Sequence, residues 1–334
     1  MRTVIKNTLC SLLFLGILIG MLALLSVLFR PKENTTEAGF QDPRANAVLS
    51  EPKDTIDVVF LGDSETYNTF IPLQIWRDYG YTSFVCGTPA QSLCYTEEFL
   101  VKAFEQQSPQ IVFLETDAIF KIFTQSQVIS QDVENTLPVF RYHDRWKTLQ
   151  ASDWTFQVDY SHRENNKGYM YDARVRPSTR LNYMKKTDAK EEIPGKSRQA
   201  VENIYEYCRK NNAKLVLIST PSTAYWNYKR HNSVAELAES LGVEYVDMNL
   251  INDQVGIEWS TDTRDRGMHM NIYGARKCSA FLGAYLAKTE QFQDKRKDAS
   301  YADWFDALEA FNESTDNALD RPSPEPEDDT KKAN

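Results

Sequence analysis

The chain has 334 residues, 42% of them hydrophobic, and a formal net charge of −9. This length is sufficient for one large or two small domains with a sizeable buried core. From Thr289 onward there are 13 acidic and 6 basic residues, so most of the acidity belongs to the C-terminal tail. Because the rest of the chain has no basic stripe, its charge does not indicate a nucleic-acid partner.

The N-terminal region contains 22 uncharged residues from Thr8 to Phe29, mostly Leu, Ile and Phe. Such a stretch can cross a bilayer core of about 30 Å. A cleavable signal peptide is the alternative, but its apolar core is usually only about 7–15 residues, and no Ala-x-Ala-like site is found here. We therefore expect residues 1–30 to be a cytoplasmic tip with an uncleaved transmembrane anchor. Arg2 and Lys6 favour a single-pass plasma-membrane protein with its N-terminus inside and the following domain outside the cell.

The remaining chain divides into three parts by composition. Residues 31–54 are polar and rich in Pro, Asn, Glu and Thr, which is typical of a linker. Residues 55–288 alternate between strand and helix patterns. Residues 289–334 form the acidic tail, in which we expect one short helix and a disordered end from Pro322 to Asn334.

The alternation in residues 55–288 predicts an α/β fold. Short apolar runs predict strands at 55–61, 82–86, 110–115, 213–219 and 243–248. Helical patterns follow at 72–79, 92–107, 195–211, 232–241 and 271–287. Strands separated by helices indicate a three-layer, doubly wound parallel sheet with right-handed crossovers.

An insertion at about residues 118–193 interrupts this alternation and is rich in aromatic side chains. A structureless loop of this length is uncommon, and such insertions are often lids or binding loops. We expect either a cap over the carboxyl edge of the sheet or a small satellite core. Within it, His143 and Trp146 are candidate substrate contacts.

Two further features concern packing and metals. Five residues of the tail share one helical face, which we expect to pack on its own domain rather than on a membrane or partner: Tyr301, Trp304, Phe305, Leu308 and Phe311.

Cys86 and Cys94 are expected to be buried thiols, although a bridge between them is the alternative outside the cell. The cysteines lack the spacing of a zinc site, so we expect no metal and no cofactor.

The chemistry is predicted where the first strand ends, at Gly62-Asp63-Ser64. Ligands bind at the carboxyl edge of open α/β sheets, which makes Ser64 a candidate nucleophile, although an Asp-Ser pair is also typical of a helix N-cap. Acyl transfer needs a base to take the proton of the nucleophile. His269 is the candidate, because it alone of the four histidines lies near the end of the α/β region.

The Gly62-Asp-Ser64 block and the later segment Asp262-Thr-Arg-Asp265-Arg-Gly-Met-His269 resemble the SGNH/GDSL hydrolases. The resemblance covers roughly residues 55–286 and implies a flavodoxin-like fold in which Ser64 is the nucleophile and His269 the base. An acid three residues before the histidine orients it in that family. Asp265 is the candidate for this acid, although it lies four residues before His269 instead of three. Asp262 is the alternative.

The family also implies three oxyanion donors: the amide of the serine, a glycine after the second strand, and an asparagine after the third. Ser64 and Gly87 match the first two. The third is missing, because Leu114-Glu-Thr-Asp117 contains no asparagine and an ionised aspartate cannot donate. Thr88, Gln91 or a residue of the insertion is the expected replacement.

The anchor, the outward-facing domain, the aromatic insertion and His269-Met-Asn-Ile-Tyr-Gly-Ala275 are similar to the membrane-anchored cell-surface acyltransferase branch. This branch includes the D-alanine transfer protein of teichoic acid and the alginate acetylation proteins. It implies transfer of an acyl group through Ser64 to a hydroxyl of a cell-wall or exported polysaccharide or of teichoic acid, with a membrane-bound O-acyltransferase as partner. An extracellular carbohydrate esterase and a non-catalytic polysaccharide-binding protein are the alternatives.

Overall fold

The computed structural model describes residues 1–155, 157–289 and 292–324. The chain forms two compact units. Unit 1 consists of residues 1–43 and 123–162, and unit 2 consists of residues 44–122 and 163–334. The last ten residues of the predicted disordered end, 325–334, lie outside the described residues.

The strands are β1 (Val58–Gly62), β2 (Ser83–Gly87), β3 (Ile111–Glu115), β4 (Lys214–Ser219) and β5 (Glu244–Asp247). The helices are α1 (Arg2–Phe29), α2 (Pro43–Asn46), α3 (Ser64–Thr69), α4 (Pro72–Tyr79), α5 (Leu93–Gln106), α6 (Gln125–Thr136), α7 (Gly195–Lys210), α8 (Tyr228–Leu241), α9 (Asn252–Val255), α10 (Ile272–Thr289) and α11 (Ala302–Ser314). Short 3₁₀ turns lie at Ala47–Ser50, Asp117–Phe120, His143–Lys147, Ala151–Trp154 and Ala299–Tyr301.

Unit 2 is built on a parallel sheet with strand order β2-β1-β3-β4-β5. This is the flavodoxin-like order, so the predicted doubly wound α/β fold is confirmed. Every residue of β1, β2 and β3 is buried, which explains why these segments read as continuous apolar runs rather than alternating patterns.

The turn at Lys167 and Gly168 is hydrogen-bonded to the edge strand β2 and packs closely against it. The Val85 amide donates a hydrogen bond of 3.0 Å to the Lys167 carbonyl. Gly168 has φ +87°, and a Cβ at this position would overlap the Val85 carbonyl oxygen. Because the obstacle is backbone in a buried strand, no side-chain rotation can relieve it.

Replacing Gly168 by alanine should therefore lower the free energy of unfolding by about 2–4 kcal/mol, through left-handed backbone strain and displacement of the turn. Urea unfolding of wild type and variant measures this difference. Gly195→Ala is the matched control, since nothing lies within 4 Å of a Cβ there. Equal losses in the two variants would contradict the steric explanation.

The tail helix α11 packs on unit 2 through its aromatic face, as predicted. The Trp304 ring lies 5.3 Å from that of Trp76, and the Phe311 ring lies 6.2 Å from that of Tyr169. Trp304 and Phe311 are both buried. The helix is thus part of the core of its unit.

The segment predicted as a polar linker is folded. In unit 2, α2 and the following turn bury Ala45, Ala47 and Val48. Glu51 is also buried and forms an ion pair of 2.9 Å with buried Lys167. The polar composition of this segment predicted an exposed linker. A polar residue such as Glu51 can nevertheless be buried, because Lys167 neutralises its charge.

Unit 1 contains α1 and residues 123–162, so the predicted insertion is divided between the two units. Most residues of α1 are exposed, and by length and composition it is a candidate membrane span or signal sequence. Residues 125–136 form α6, which was not predicted and begins with a capping box between Thr124 and Gln127.

The five cysteines are free thiols, and all but Cys10 are buried. Cys86 and Cys94 are not bridged. Within the described ranges, no group of three or more His, Cys, Asp or Glu side chains is arranged to hold a metal ion.

Candidate active site

The first strand places Ser64 at the carboxyl edge of the sheet. β1 ends at Gly62, and α3 begins at Ser64 with Asp63 as its N-cap. The Asp63 carboxylate accepts a hydrogen bond of 3.0 Å from the Glu65 amide, one of the free amides of the first helical turn. A Cβ on Gly62 would overlap the Thr66 hydroxyl, so the turn before the serine requires glycine.

His269 and Asp265 lie on the loop between α9 and α10. Thr263 and Met270 form an antiparallel bridge across this loop. The Arg264 amide also donates to the His269 carbonyl at 3.2 Å. These backbone contacts close the loop and hold the acid and the imidazole close together.

The structure brings Ser64, His269 and Asp265 into one hydrogen-bonded triad. His269 Nε2 lies 2.8 Å from Ser64 Oγ, and His269 Nδ1 lies 2.6 Å from Asp265 Oδ2. The His269 amide also donates to Asp265 Oδ1 at 2.7 Å. Because an ionised carboxylate only accepts hydrogen bonds, Nδ1 carries the proton and Nε2 is free to accept the serine proton. This arrangement can activate a serine for nucleophilic attack.

Three residues lie between the acid and the histidine in this loop, where the family's spacing leaves two. Arg266 and Gly267 have φ values of +66° and +87°, so both are left-handed. They turn the chain between Asp265 and His269 and take up the additional residue. The Gly267 amide donates to Thr263 Oγ1 at 2.6 Å, which stabilises this turn.

Asp265, rather than Asp262, is the acid beside the histidine. Partial burial acts to raise the pKa of Asp265, but the hydrogen bonds from His269 outweigh it and lower this pKa overall. Asp262 is fully buried and instead accepts hydrogen bonds from Lys277 Nζ at 2.7 Å and from the Glu258 amide at 2.8 Å. Its role is to tie the loop to α10.

The two predicted oxyanion donors lie on neighbouring strand ends. The Ser64 amide is in the first turn of α3, where an amide has no intrahelical acceptor. Gly87 ends β2 in register with Gly62. A Cβ on Gly87 would lie 3.1 Å from the Gly62 carbonyl oxygen and 3.2 Å from that of Asp63, so glycine permits this close approach.

The predicted substitutes for the third donor are paired with each other. The amide and the hydroxyl of Thr88 both donate to Gln91 Oε1 at 3.0 Å. Gln91 Nε2 donates to Thr96 Oγ1 at 3.0 Å. In this arrangement both residues stabilise the loop after β2. The third donor, from one of them or from a residue of the insertion, stays a prediction.

Arg44 is a cation beside Gly87 that the sequence analysis did not identify. Its Nη2 donates to the Gly87 carbonyl at 3.4 Å, and its guanidinium carbon lies 4.0 Å from the centre of the Tyr67 ring. Arg44 belongs to the stretch predicted as a linker and has no motif around it. Only the folding of that stretch onto unit 2 brings it to the end of β2.

The carboxyl ends of β1 and β3 carry four buried acids, which are Asp63, Glu65, Glu115 and Asp117. Lys121 forms ion pairs with Asp63 and, at 3.0 Å, with Asp117. Arg230 pairs with Asp117 at 2.7 Å. Asp117 thus accepts from two cations, and as an ionised carboxylate it cannot serve as an oxyanion donor.

Glu65 and Glu115 share a hydroxyl instead of a cation. Thr220 Oγ1 lies 3.2 Å from Glu65 Oε2 and 3.4 Å from Glu115 Oε1. Burial raises the pKa of Glu65 well above its ordinary value, and the charge of Glu115 adds to this effect. Burial also raises the pKa of Glu115, with a further contribution from Asp63. The residue next to the nucleophile is therefore stabilised in its protonated form.

Replacing Glu65 by glutamine should make stability less dependent on pH. Because the pKa of Glu65 is raised in the folded state, unfolding releases a proton above the ordinary pKa of 4.5, and wild-type stability falls as the pH rises. The loss is at most about 1.4 kcal/mol per pH unit for one carboxyl group. We expect Glu65→Gln to be more stable than wild type at pH 7–8, with a difference that shrinks toward pH 4.

Thermal unfolding of wild type and Glu65→Gln between pH 4 and pH 8 measures this effect. Glu239→Gln is the control, because Glu239 is exposed on α8 and should give the wild-type pH profile. A stability difference that grows as the pH falls would show that Glu65 is held as the carboxylate.

The part of the predicted insertion that belongs to unit 2, residues 163–193, supports the site. The Met170 amide donates to the Tyr67 carbonyl in α3 at 2.8 Å. The Arg176 amide donates to the Thr263 carbonyl in the loop of His269 at 2.8 Å. This segment therefore contacts both the helix that begins at Ser64 and the loop that carries His269.

The other predicted residues lie away from this chemistry or in the other unit. His143 and Trp146 belong to unit 1, so their role as substrate contacts stays a prediction. His231 Nδ1 lies 2.8 Å from Asp247 Oδ2 and connects α8 to β5, which is a structural role.

No family model matches the sequence, and no curated protein matches it. Among solved structures, the lipase/acylhydrolase from Enterococcus faecalis is 11% identical, with 71% of this chain and 98% of that chain covered and a TM-score of 0.40. A psychrotrophic esterase from Pseudoalteromonas is 10% identical, with 70% and 98% covered and a TM-score of 0.37. A GDSL-like lipase from Bacteroides thetaiotaomicron is 15% identical, with 73% and 94% covered and a TM-score of 0.34. These similarities are remote and do not assign a function to this chain.

Proposed function

We propose that the protein is a serine acyl-transfer enzyme of the SGNH/GDSL type. One observation supports this proposal above all: Ser64 Oγ, the His269 imidazole and the Asp265 carboxylate form a continuous row with separations of 2.8 and 2.6 Å. Both distances suit proton transfer between nucleophile and base. These hydrogen bonds join residues that are 205 positions apart in the sequence. A serine that only caps a helix does not need a histidine from a distant segment beside it.

In the first half-reaction, Ser64 Oγ attacks the carbonyl carbon of the acyl donor while its proton moves to His269 Nε2. The tetrahedral oxyanion is stabilised by the amides of Ser64 and Gly87. Collapse of this intermediate breaks the bond to the leaving group, which takes the proton from His269. The product is an acyl ester on Ser64, and Asp265 stabilises the imidazolium that forms in between.

In the second half-reaction, a hydroxyl group of the acceptor gives its proton to His269 Nε2 and attacks the ester carbonyl. Collapse returns the proton to Ser64 and leaves the acyl group on the acceptor. We propose an acetyl or similar acyl group, and a cell-wall or exported polysaccharide or teichoic acid as the acceptor. The resemblance of the sequence to the surface acyltransferase branch supports this choice.

The proposed location is the outer face of the plasma membrane, with the N-terminus inside and α1 as a single span. The length and composition of α1 support the anchor. A membrane-bound O-acyltransferase is the proposed partner, because an acyl donor made inside the cell must be passed across the bilayer before Ser64 can accept it. This partner rests on the resemblance alone.

Hydrolysis of a carbohydrate ester is the second candidate. The same three residues can act on water, and Ser64 and His269 are both partly exposed. A polysaccharide-binding protein without activity would explain the missing third oxyanion donor, but it does not need the triad geometry.

The first experiment asks whether Ser64 is nucleophilic. The full chain, in detergent or in vesicles, is treated with a fluorophosphonate probe that labels activated serines. We expect one adduct on Ser64 that is absent from Ser64→Ala. A folded wild-type protein that forms no such adduct would support the binding protein instead.

The second experiment separates transfer from hydrolysis. Enzyme carrying a radioactive acetyl group on Ser64 is mixed with purified teichoic acid or acetylatable polysaccharide, and the label is followed into polymer and free acetate. Transfer predicts label on the polymer. Release only as acetate, at a rate independent of polymer, would identify an esterase.

A further inference from the structure

Three aromatic side chains of unit 1 are exposed to an unusual degree. Phe140 is 47% exposed, Trp146 is 63% exposed and Trp154 is 69% exposed. Large aromatic residues usually bury most of their surface. Three such side chains within fifteen residues of one unit are candidates for a surface that contacts a partner.

The segment that carries these side chains is hydrogen-bonded to the C-terminal end of α1. Arg145 donates to the Phe29 carbonyl at 2.7 Å and pairs with Asp153 at 2.7 Å, and its own side chain is almost fully buried. The Val139 amide donates to the Ser26 hydroxyl at 3.3 Å. Both 3₁₀ turns, one carrying Trp146 and the other Trp154, pack against α1.

These contacts place the aromatic side chains near the level of the last turn of the apolar helix. α1 has 28 residues, which corresponds to about 42 Å and exceeds a hydrocarbon core of about 30 Å. Its apolar side chains remain exposed as far as Leu24 and Val27. If the helix spans the bilayer, its C-terminal end and the aromatics around it lie at the boundary between acyl chains and headgroups.

The neighbouring charges fit the same boundary. Lys147 Nζ lies 5.6 Å from the centre of the Trp146 ring, and the Arg30 guanidinium lies 5.8 Å from that of the Tyr160 ring. Trp and Tyr together with basic residues are typical of the membrane–water interface, where one end of each side chain is apolar and the other is hydrated.

We propose that Phe140, Trp146 and Trp154 form a membrane-contact patch that inserts into the interface of the leaflet from which α1 emerges. The partner is the lipid bilayer itself. The patch extends the contact that α1 begins, and burial of its apolar surface in the interface adds to the anchoring of unit 1.

Quenching of tryptophan fluorescence tests this proposal. The full chain is reconstituted into phosphatidylcholine vesicles with or without bromine atoms on the upper part of the acyl chains. We expect the brominated lipid to quench the part of the emission contributed by two of the six tryptophans. The double variant Trp146→Phe/Trp154→Phe should lose this quenching, because phenylalanine keeps the apolar contact but not the fluorophore.

Trp259→Phe is the matched control, since Trp259 lies in unit 2 and its removal should leave the quenching intact. Circular dichroism verifies that each variant is folded. Equal quenching of wild type and double variant would overturn the proposal. So would emission from Trp146 and Trp154 that responds to added polysaccharide and not to brominated lipid, because the patch would then be a carbohydrate site. Neither result depends on whether Ser64 is reactive.

Discussion

Replacing Ser64 by alanine should abolish the acyl-enzyme and lower kcat on an activated ester by a factor on the order of 10⁵–10⁶. The reason is geometric. Ser64 Oγ is the atom that His269 Nε2 faces at 2.8 Å, and alanine leaves no nucleophile in that position. Release of nitrophenol from nitrophenyl acetate, together with mass spectrometry of the intact protein, measures both the rate and the adduct.

Ser92→Ala is the matched control for this variant. Ser92 also stands at the start of a helix, and its side chain makes no capping hydrogen bond there. It should retain wild-type activity. If Ser64→Ala retained the rate and the acyl adduct, the triad would have no part in the reaction and the proposed function would be wrong.

Replacing Asp265 by asparagine should lower kcat by a factor of about 10²–10⁴ while preserving the fold. Asparagine can still accept from the His269 amide through its oxygen. Its NH₂ group then faces Nδ1, which must accept a hydrogen bond, so that the ring proton moves to Nε2. In this tautomer His269 cannot take the proton of Ser64.

The readout that separates this effect from simple destabilisation is the combination of kcat, KM and melting temperature. Asp265→Asn should change kcat strongly and the melting temperature little. Asp262→Asn is the comparison, because Asp262 binds Lys277 and the loop backbone; it should lower the melting temperature and leave kcat within a few-fold of wild type. The reverse pattern would assign the orienting role to Asp262.

The strands and the serine turn could be predicted from local patterns. β1, β2 and β3 are buried on both faces, and this burial requires the continuous apolar runs that mark them in the sequence. The boundaries of the strands differ from prediction by three residues at the start of β1 and by one at most other ends. α3 was not predicted, because its six residues include only one large apolar side chain, Tyr67, and so have no apolar periodicity.

The composition of the segments around the sheet was misleading. Residues 44–54 resemble a linker because they are polar, yet Glu51 is buried in an ion pair with Lys167. The aromatic insertion resembles one cap, yet residues 123–162 fold with α1 and residues 163–193 support the triad. Composition reports how polar a segment is, but it does not report whether a partner for the polar groups exists elsewhere in the chain.

The positions of the five strands, and the choice of Ser64 and His269 as candidate nucleophile and base, could be read from local patterns in the chain. These features depend on short patterns, namely apolar runs, a glycine before Ser64 and a histidine before the last sheet-packing helix. The choice between Asp265 and Asp262 required the folded chain, because the left-handed turn at Arg266 and Gly267 sets which carboxylate faces the imidazole. Folding also raises the pKa of Glu65 and determines the position of Arg44, since burial and contacts between distant segments arise only when the chain is folded.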